Sequence, residues 1–168
     1  VHGDAVVVID QMPAEIPVAD SLITSNPNLA LVVMVADCIP LLLRSEKLVA
    51  AVHVGRAGLM NSVALKTVAK MRALGAIQIS GSIGPAICGS CYEVPQELYD
   101  EVIAVHPLAS SKTRIGTPAL DLPKALIAAL ALADVPVAIS AGCTLEDESS
   151  FSYRRNQVTG RQAGVIKL

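Results

Sequence analysis

The chain has 168 residues, of which 52% are hydrophobic, 17% charged and only 2% aromatic, and its formal net charge is -2. This length suits one domain with a substantial aliphatic core, and the composition excludes a disordered chain. With no block of like charge it also lacks the electrostatic footprint of a polymeric nucleic-acid binder, so a small-molecule substrate is the expectation.

Residues 5–9, a β-branched run between Asp4 and Asp10, predict the first strand, and residues 14–28, with Pro17 and Pro27, read as a turn-rich connection. Residues 29–36 form the next apolar run. Residues 40–43 and 48–54 then flank the charged break Arg44-Ser45-Glu46-Lys47 as a hairpin. The stretch 29–43 is broken by Asp37 and Pro40 and is too short for a membrane helix, so no membrane partner is expected.

A helix is predicted over 59–74, because Met60, Val63, Ala64, Thr67, Met71 and Leu74 share one face and Gly75 supplies a stop. Residues 76–80 alternate like a strand, and 81–89 form a Gly- and Pro-rich loop leading into Cys91-Tyr92-Glu93-Val94. Pro95 opens a second helix to about 105. Asp121 caps a third, with Pro123 in its first turn, ending near Asp134. A strand over 135–141, a polar tail over 146–161 and a closing strand over 164–168 complete the order.

Cys38 follows the apolar run that ends in Ala36-Asp37, and His53 ends another apolar run. Taken singly, a cysteine at a strand end is usually a small buried hydrophobe, and such a histidine is usually a hydrogen-bonded core residue. Together with His2 they make a two-imidazole, one-thiolate set, which is the donor pattern of an open catalytic zinc site. Four cysteines without a dense framework fit a reducing cytoplasm. Cys88-Gly89-Ser90-Cys91 reads first as a pocket-lining loop and second as a redox pair; with no second C-x-x-C, a zinc ribbon is not expected.

Arg154, Arg155 and Arg161, among serine, threonine and glycine, form an anion-binding candidate, because guanidinium forks match phosphate and carboxylate. Asp37, Glu93, Glu146, Asp147 and Glu148 are acid/base candidates that the sequence does not rank. His106, near a helix end, reads as structural.

Ala36-Asp37-Cys38-Ile39-Pro40-Leu41-Leu42, His53-Val54-Gly55, Gly84-Pro85, Cys91-Tyr92-Glu93-Val94, Cys143-Thr144, Phe151-Ser152-Tyr153-Arg154-Arg155 and Thr159-Gly160-Arg161 occur in a fixed order. In that combination the chain resembles the YfiH-like family, formerly described as multicopper polyphenol oxidase or laccase-domain proteins. The resemblance covers essentially the whole chain. It implies a mixed α/β (α+β) fold over residues 1–168, with a β-rich centre and about three flanking helices, and the element order above agrees. It also implies purine nucleoside phosphorylase activity with adenosine deaminase and methylthioadenosine phosphorylase activity, and a catalytic metal held by His2, Cys38 and His53. Zinc is the expected ion, with copper as the alternative.

Two departures stand out. The family commonly reads His-Ala-Gly-Trp-Arg-Gly where this chain has His53-Val54-Gly55-Arg56-Ala57-Gly58, so Arg56 is the candidate replacement for the family arginine. Family members also carry a segment ahead of Val-His-Gly, and a chain starting at Val1 is expected to lack it. The expected catalytic residues are Cys38, His53 and Asp37, and the expected substrate-binding residues are Arg56, Arg154, Arg155 and Arg161. Purine nucleoside and phosphate are the expected partners, on a monomer or homodimer. The competing expectations are a metal-free cysteine hydrolase with Cys38 as nucleophile and His53 as base, and a non-catalytic remnant of the family. A multicopper centre is disfavoured, since it needs more histidines than the three present.

Overall fold

A computed structural model of the chain describes residues 2–140 and 142–168. Its centre is a six-stranded mixed sheet in the order β1 (Val6–Val8), β2 (Ser21–Thr24), β5 (Val49–Val54), β4 (Ile39–Arg44), β6 (Ser80–Ile83) and β9 (Val137–Ile139). The hairpin β4–β5 forms the middle of the sheet, as its two apolar runs predict, with Pro40 opposite His53 and Ile39 opposite Val54. The edge pairs β1–β2 and β6–β9 are parallel, and the inner pairs are antiparallel.

Strand periodicity divides the core in two, because alternate residues of β5 point to opposite faces. Ala50, Val52 and Val54 join the larger cluster with Val63, Val68 and Met71 of α2 (Val63–Ala73) and Leu126 and Leu130 of α4 (Leu122–Leu132). Val49 and Ala51 face the other way. There they meet Leu31, Val33 and Val35 of β3 (Leu31–Val35), which pairs antiparallel with β10 (Gln162–Ile166) as a two-stranded ribbon over the sheet. His53 falls on this ribbon side by the same alternation.

Three helices of ten or eleven residues flank the sheet, namely α2, α3 (Gln96–Val105) and α4, alongside the short α1 (Arg56–Met60) and α5 (Tyr153–Asn156). The Asp121 carboxylate accepts the Lys124 amide at 2.9 Å, so the expected cap of α4 is in place. Among the described residues no helix is long and apolar enough to cross a membrane.

Several expected boundaries move, each for a physical reason. The predicted helix 59–74 is two helices, broken where Ser62 takes the left-handed conformation at φ 59°. The break turns α2 onto the sheet, and neither Asn61 nor Ser62 interrupts the apolar period, so the sequence hides it. The connection 14–28 contains β2, whose burial on nearly every residue leaves no alternation to read. The strand expected over 76–80 starts only at Ser80 and runs into the predicted loop. Pairing with β4 and β9 overrides the poor strand propensity of Ser-Gly-Ser, and a side chain at Gly81 would press on Leu43 at 3.1 Å.

The strand expected over 135–141 is observed as β9, and Ala141 lies outside the described residues. The closing strand sits two residues earlier than expected, and the hairpin of β7 (Ser110–Lys112) and β8 (Pro118–Leu120) was not foreseen, because three-residue strands carry too little pattern.

Candidate active site and metal centre

Cys38 sits in the bend between β3 and β4, and His53 lies one strand away on β5, where β4–β5 pairing brings the two together. His2 completes the group. One donor atom from each of the three lies within 4.8 Å of the others, His2 Nε2 is 3.9 Å from Cys38 Sγ, and the two imidazoles meet edge to face with centroids 4.9 Å apart. Burial pushes the Cys38 thiol up to about 11, with the Asp37 charge adding and Arg161 opposing. Without a metal this thiol keeps its proton at neutral pH and is a weak nucleophile.

Sequence reasoning missed the residue behind this group. Asp20 is 5% exposed; its backbone carbonyl accepts the His53 amide at 2.8 Å, its Oδ1 stands 3.5 Å from His53 Nδ1, and its Oδ2 accepts the Gly3 amide at 3.0 Å. A carboxylate behind one ring nitrogen orients a ligating histidine and fixes its tautomer. The one available signal was an acid placed directly before a buried strand. Gly55 was missed too. A Cβ there would lie 3.0 Å from Cys38 Sγ and 3.3 Å from His2 Cδ2, so any larger residue would crowd two of the three donors. Donor chemistry, spacing and the carboxylate behind His53 all fit one metal ion.

The group opens into a cleft of about 1080 Å3 lined by Arg56, Arg154, Arg161, Tyr92 and Tyr153, with apolar walls that include Val33 and Ile87. Three of the four predicted anion-binding arginines therefore converge with the predicted ligands. Arg154 packs over the Tyr92 ring, 5.1 Å from its centroid, and donates to the Glu93 carbonyl at 3.1 Å. Arg161 donates to the carbonyls of Thr159 and Gly160 at 2.9 and 2.8 Å. The Tyr92 phenol is pushed up by burial, opposed by Arg56 and Arg154, so it stays a neutral hydrogen-bond donor.

Arg155 is elsewhere. Its guanidinium donates to the carbonyls of Thr144, Leu145 and Asp147 at 3.0 to 3.1 Å and also to that of Ser150, binding the preceding loop instead of lining the cleft.

Asp37 lines the cleft, but its carboxylate is committed: Oδ1 accepts the Thr144 hydroxyl and Oδ2 the Arg154 amide, both at 2.7 Å. It sits at φ 84°, a conformation an aspartate tolerates better than most residues. Its geometry is that of a positioning residue. The other acid candidates disperse. Asp147 accepts hydrogen bonds from Ser149 and Ser150, which hold its carboxyl below the usual range, and Glu93 contributes its backbone carbonyl to Arg154. Glu148 is exposed.

The C-x-x-C is placed differently from its expected role. Ile87 and Tyr92 on either side of it line the cleft, while Cys88 and Cys91 converge instead with Cys143 and Glu146.

A family model described as multi-copper polyphenol oxidoreductase laccase matches residues 1–168. The chain belongs to this YfiH-like family. Curated relatives named purine nucleoside phosphorylase include one from Corynebacterium glutamicum, 42% identical over 176 residues, spanning 100% of this chain and 72% of the relative. Another, from Streptomyces griseus, is 44% identical over 178 residues with the same coverage. Among solved structures, a Neisseria meningitidis protein of the DUF152 family superposes with a TM-score of 0.87 at 30% identity, covering 100% of this chain and 72% of that one. The hypothetical protein YfiH of Bacillus licheniformis gives 0.87 at 28% identity, again over 100% and 72%. The mixed α+β architecture is thus the family fold.

Proposed function

We propose that the protein is a zinc-dependent purine nucleoside phosphorylase acting on adenosine, inosine and methylthioadenosine, with adenosine deamination as a second activity. One observation carries the reading: His2, Cys38 and His53 share a single cleft with Arg56, Arg154 and Arg161. Both a metal-binding donor set and a phosphate-binding set face the same space, and relatives named for this activity support the assignment.

In phosphorolysis a phosphate oxygen bonds to the anomeric carbon of the ribose, the bond from that carbon to the purine nitrogen breaks with its electron pair leaving on the base, and the base takes up the proton that hydrogen phosphate gives up. The products are free purine and ribose 1-phosphate. Arg56, Arg154 and Arg161 bind and orient the phosphate dianion, because planar forks match its oxygens and stabilise its charge through the displacement. Tyr92, neutral and beside two of these arginines, donates to a substrate oxygen, and the aliphatic wall takes the flat base out of water. Asp37 acts indirectly by holding the backbone of Arg154. Asp20 faces the His53 ring and holds the backbone of Gly3, beside His2.

His2, Cys38 and His53 would hold the zinc, which supplies Lewis-acid polarisation and lowers the pKa of a bound water toward ~7. Deamination exchanges the purine C6 amino group for the oxygen of water and releases ammonia, so it needs the base turned toward the same donor group. Two histidines and a thiol suit a single ion better than a multicopper cluster, and zinc fits the proposed reactions because neither transfers an electron. Four unpaired cysteines support a reducing, cytoplasmic setting.

Incubation with inosine and phosphate, followed by chromatography, is expected to yield hypoxanthine and ribose 1-phosphate, with the yield lost on chelation and restored by zinc. No product from zinc-loaded protein at high concentration rejects the reading, and full activity in metal-free protein rejects the metal.

A further inference from the structure

We propose that Cys88, Cys91, Cys143 and Glu146 form a second metal site, which holds a zinc-like divalent cation as a structural clamp between two loops. The four donors come from sequence-distant segments, yet one ligand atom from each lies within 4.8 Å of all the others. A tetrahedral zinc with bonds of ~2.3 Å to sulfur sets its ligand atoms ~3.8 Å apart, so the donors stand within about 1 Å of the spacing such an ion needs. Three thiolates and a carboxylate fill four positions and leave none for substrate. Four protein ligands with no open position are the count of a structural site.

Two local hydrogen bonds already suit thiolates: the Cys88 amide donates to Cys143 Sγ at 3.3 Å, and Ser90 Oγ lies 3.2 Å from Cys88 Sγ. The Cys91 thiol donates to Glu146 Oε1 at 3.1 Å, a proton that a bound cation would displace. The backbone holds the two segments in register through a parallel bridge between Ala86 and Cys143 and through the Thr144 amide, which donates to the Ala86 carbonyl at 3.1 Å, while the Cys91 and Tyr92 amides, both donating to the Cys88 carbonyl, turn the C-x-x-C loop. Arg114 now pairs with Glu146 at 2.5 Å. A divalent ion would compete with that cation for the same carboxylate.

The clamp position explains what the ion would do. Ile87, next to Cys88, donates its amide to the Asp37 carbonyl at 3.0 Å; Thr144, next to Cys143, donates its hydroxyl to the Asp37 carboxylate; and Tyr92, next to Cys91, lines the cleft. An ion tying Cys88 and Cys91 to Cys143 thereby fixes two of the three supports of Asp37, the neighbour of Cys38; the third is the Arg154 amide. This inference does not depend on the chemistry proposed for the cleft.

The test is metal analysis of the full chain, grown with zinc and purified under a thiol reductant. Cys143→Ser and the double variant Cys88→Ser/Cys91→Ser are each expected to bind one zinc equivalent fewer than the parent. Unchanged stoichiometry overturns the site. Should these variants fold poorly, cobalt loading of Cys38→Ser, which keeps the four donors, provides the second measurement. It is expected to show a near-ultraviolet thiolate-to-cobalt band of three-thiolate intensity, with Cys88, Cys91 and Cys143 protected from alkylation. No band, or a Cys88–Cys91 disulfide in metal-free protein kept under reductant, overturns the proposal.

Discussion

Asp20 holds His53 by two of its atoms at once: its carbonyl accepts the His53 amide at 2.8 Å, and its carboxylate stands 3.5 Å from the ring Nδ1. The other carboxylate oxygen holds Gly3, the neighbour of His2. Asp20→Ala is therefore expected to loosen two ligands together and to weaken zinc binding ~10- to 100-fold. Competition against a chromophoric chelator measures it, and parent-like affinity would show that Asp20 does not orient the ligands.

Gly55→Ala isolates crowding from backbone strain. Gly55 has φ -92°, which any residue adopts, yet the added methyl meets Cys38 Sγ at 3.0 Å. The metal-free variant should melt within a few degrees of the parent, while metal affinity falls by ~10-fold or more, about 1.4 kcal/mol. Calorimetry with and without zinc checks both halves.

The two adjacent arginines should part in their effects. Arg154→Ala removes a guanidinium from the cleft and is expected to raise KM for phosphate with little change in melting temperature. Arg155→Ala strips donors from four carbonyls and is expected to cost about 2 to 4 kcal/mol of stability. Denaturant titration alongside phosphate kinetics separates them, and the reverse pattern would restore Arg155 as a substrate ligand.

Cys38 sets a pH signature in the metal-free protein. Its folded value of about 11 lies above the ~8.5 of an unfolded thiol, so the fold favours the protonated form. The associated stability is fully present below ~8.5 and is lost as pH climbs through about 11. Alkylation of Cys38, followed by peptide mass spectrometry, should be slow at neutral pH and accelerate toward that upper value. Fast labelling at neutral pH would mean an activated thiol and would revive the cysteine-hydrolase alternative.

Much of this architecture is legible in the sequence where the period is strong: β3, β4, β5, α3 and α4 fall close to their apolar patterns. β2 was obscured because burial on nearly every residue removes its alternation, β6 because tertiary pairing and not propensity makes it a strand, and Ser62 broke α2 away from α1 without a glycine or proline to announce it. In the site, the convergence of His2, Cys38 and His53 with three arginines was legible from residue type and family pattern. Asp20 and Gly55 were not. Their roles arise from closeness to other side chains, a property of the folded chain that no local motif encodes. Likewise, nothing near Cys88 and Cys91 in sequence points to Cys143 and Glu146.

The Asp37 carboxylate reaches 107 residues along the chain to Thr144 and 117 residues to Arg154. The candidate donors His2, Cys38 and His53 come from one stretch of chain with Asp20, Gly55 and Arg56, whereas Arg154 and Arg161 come from a distant one. The cleft thus becomes a single space only when the later segment docks on the Asp37 bend, and the contacts that seat it are made by a carboxylate and not by the donors themselves.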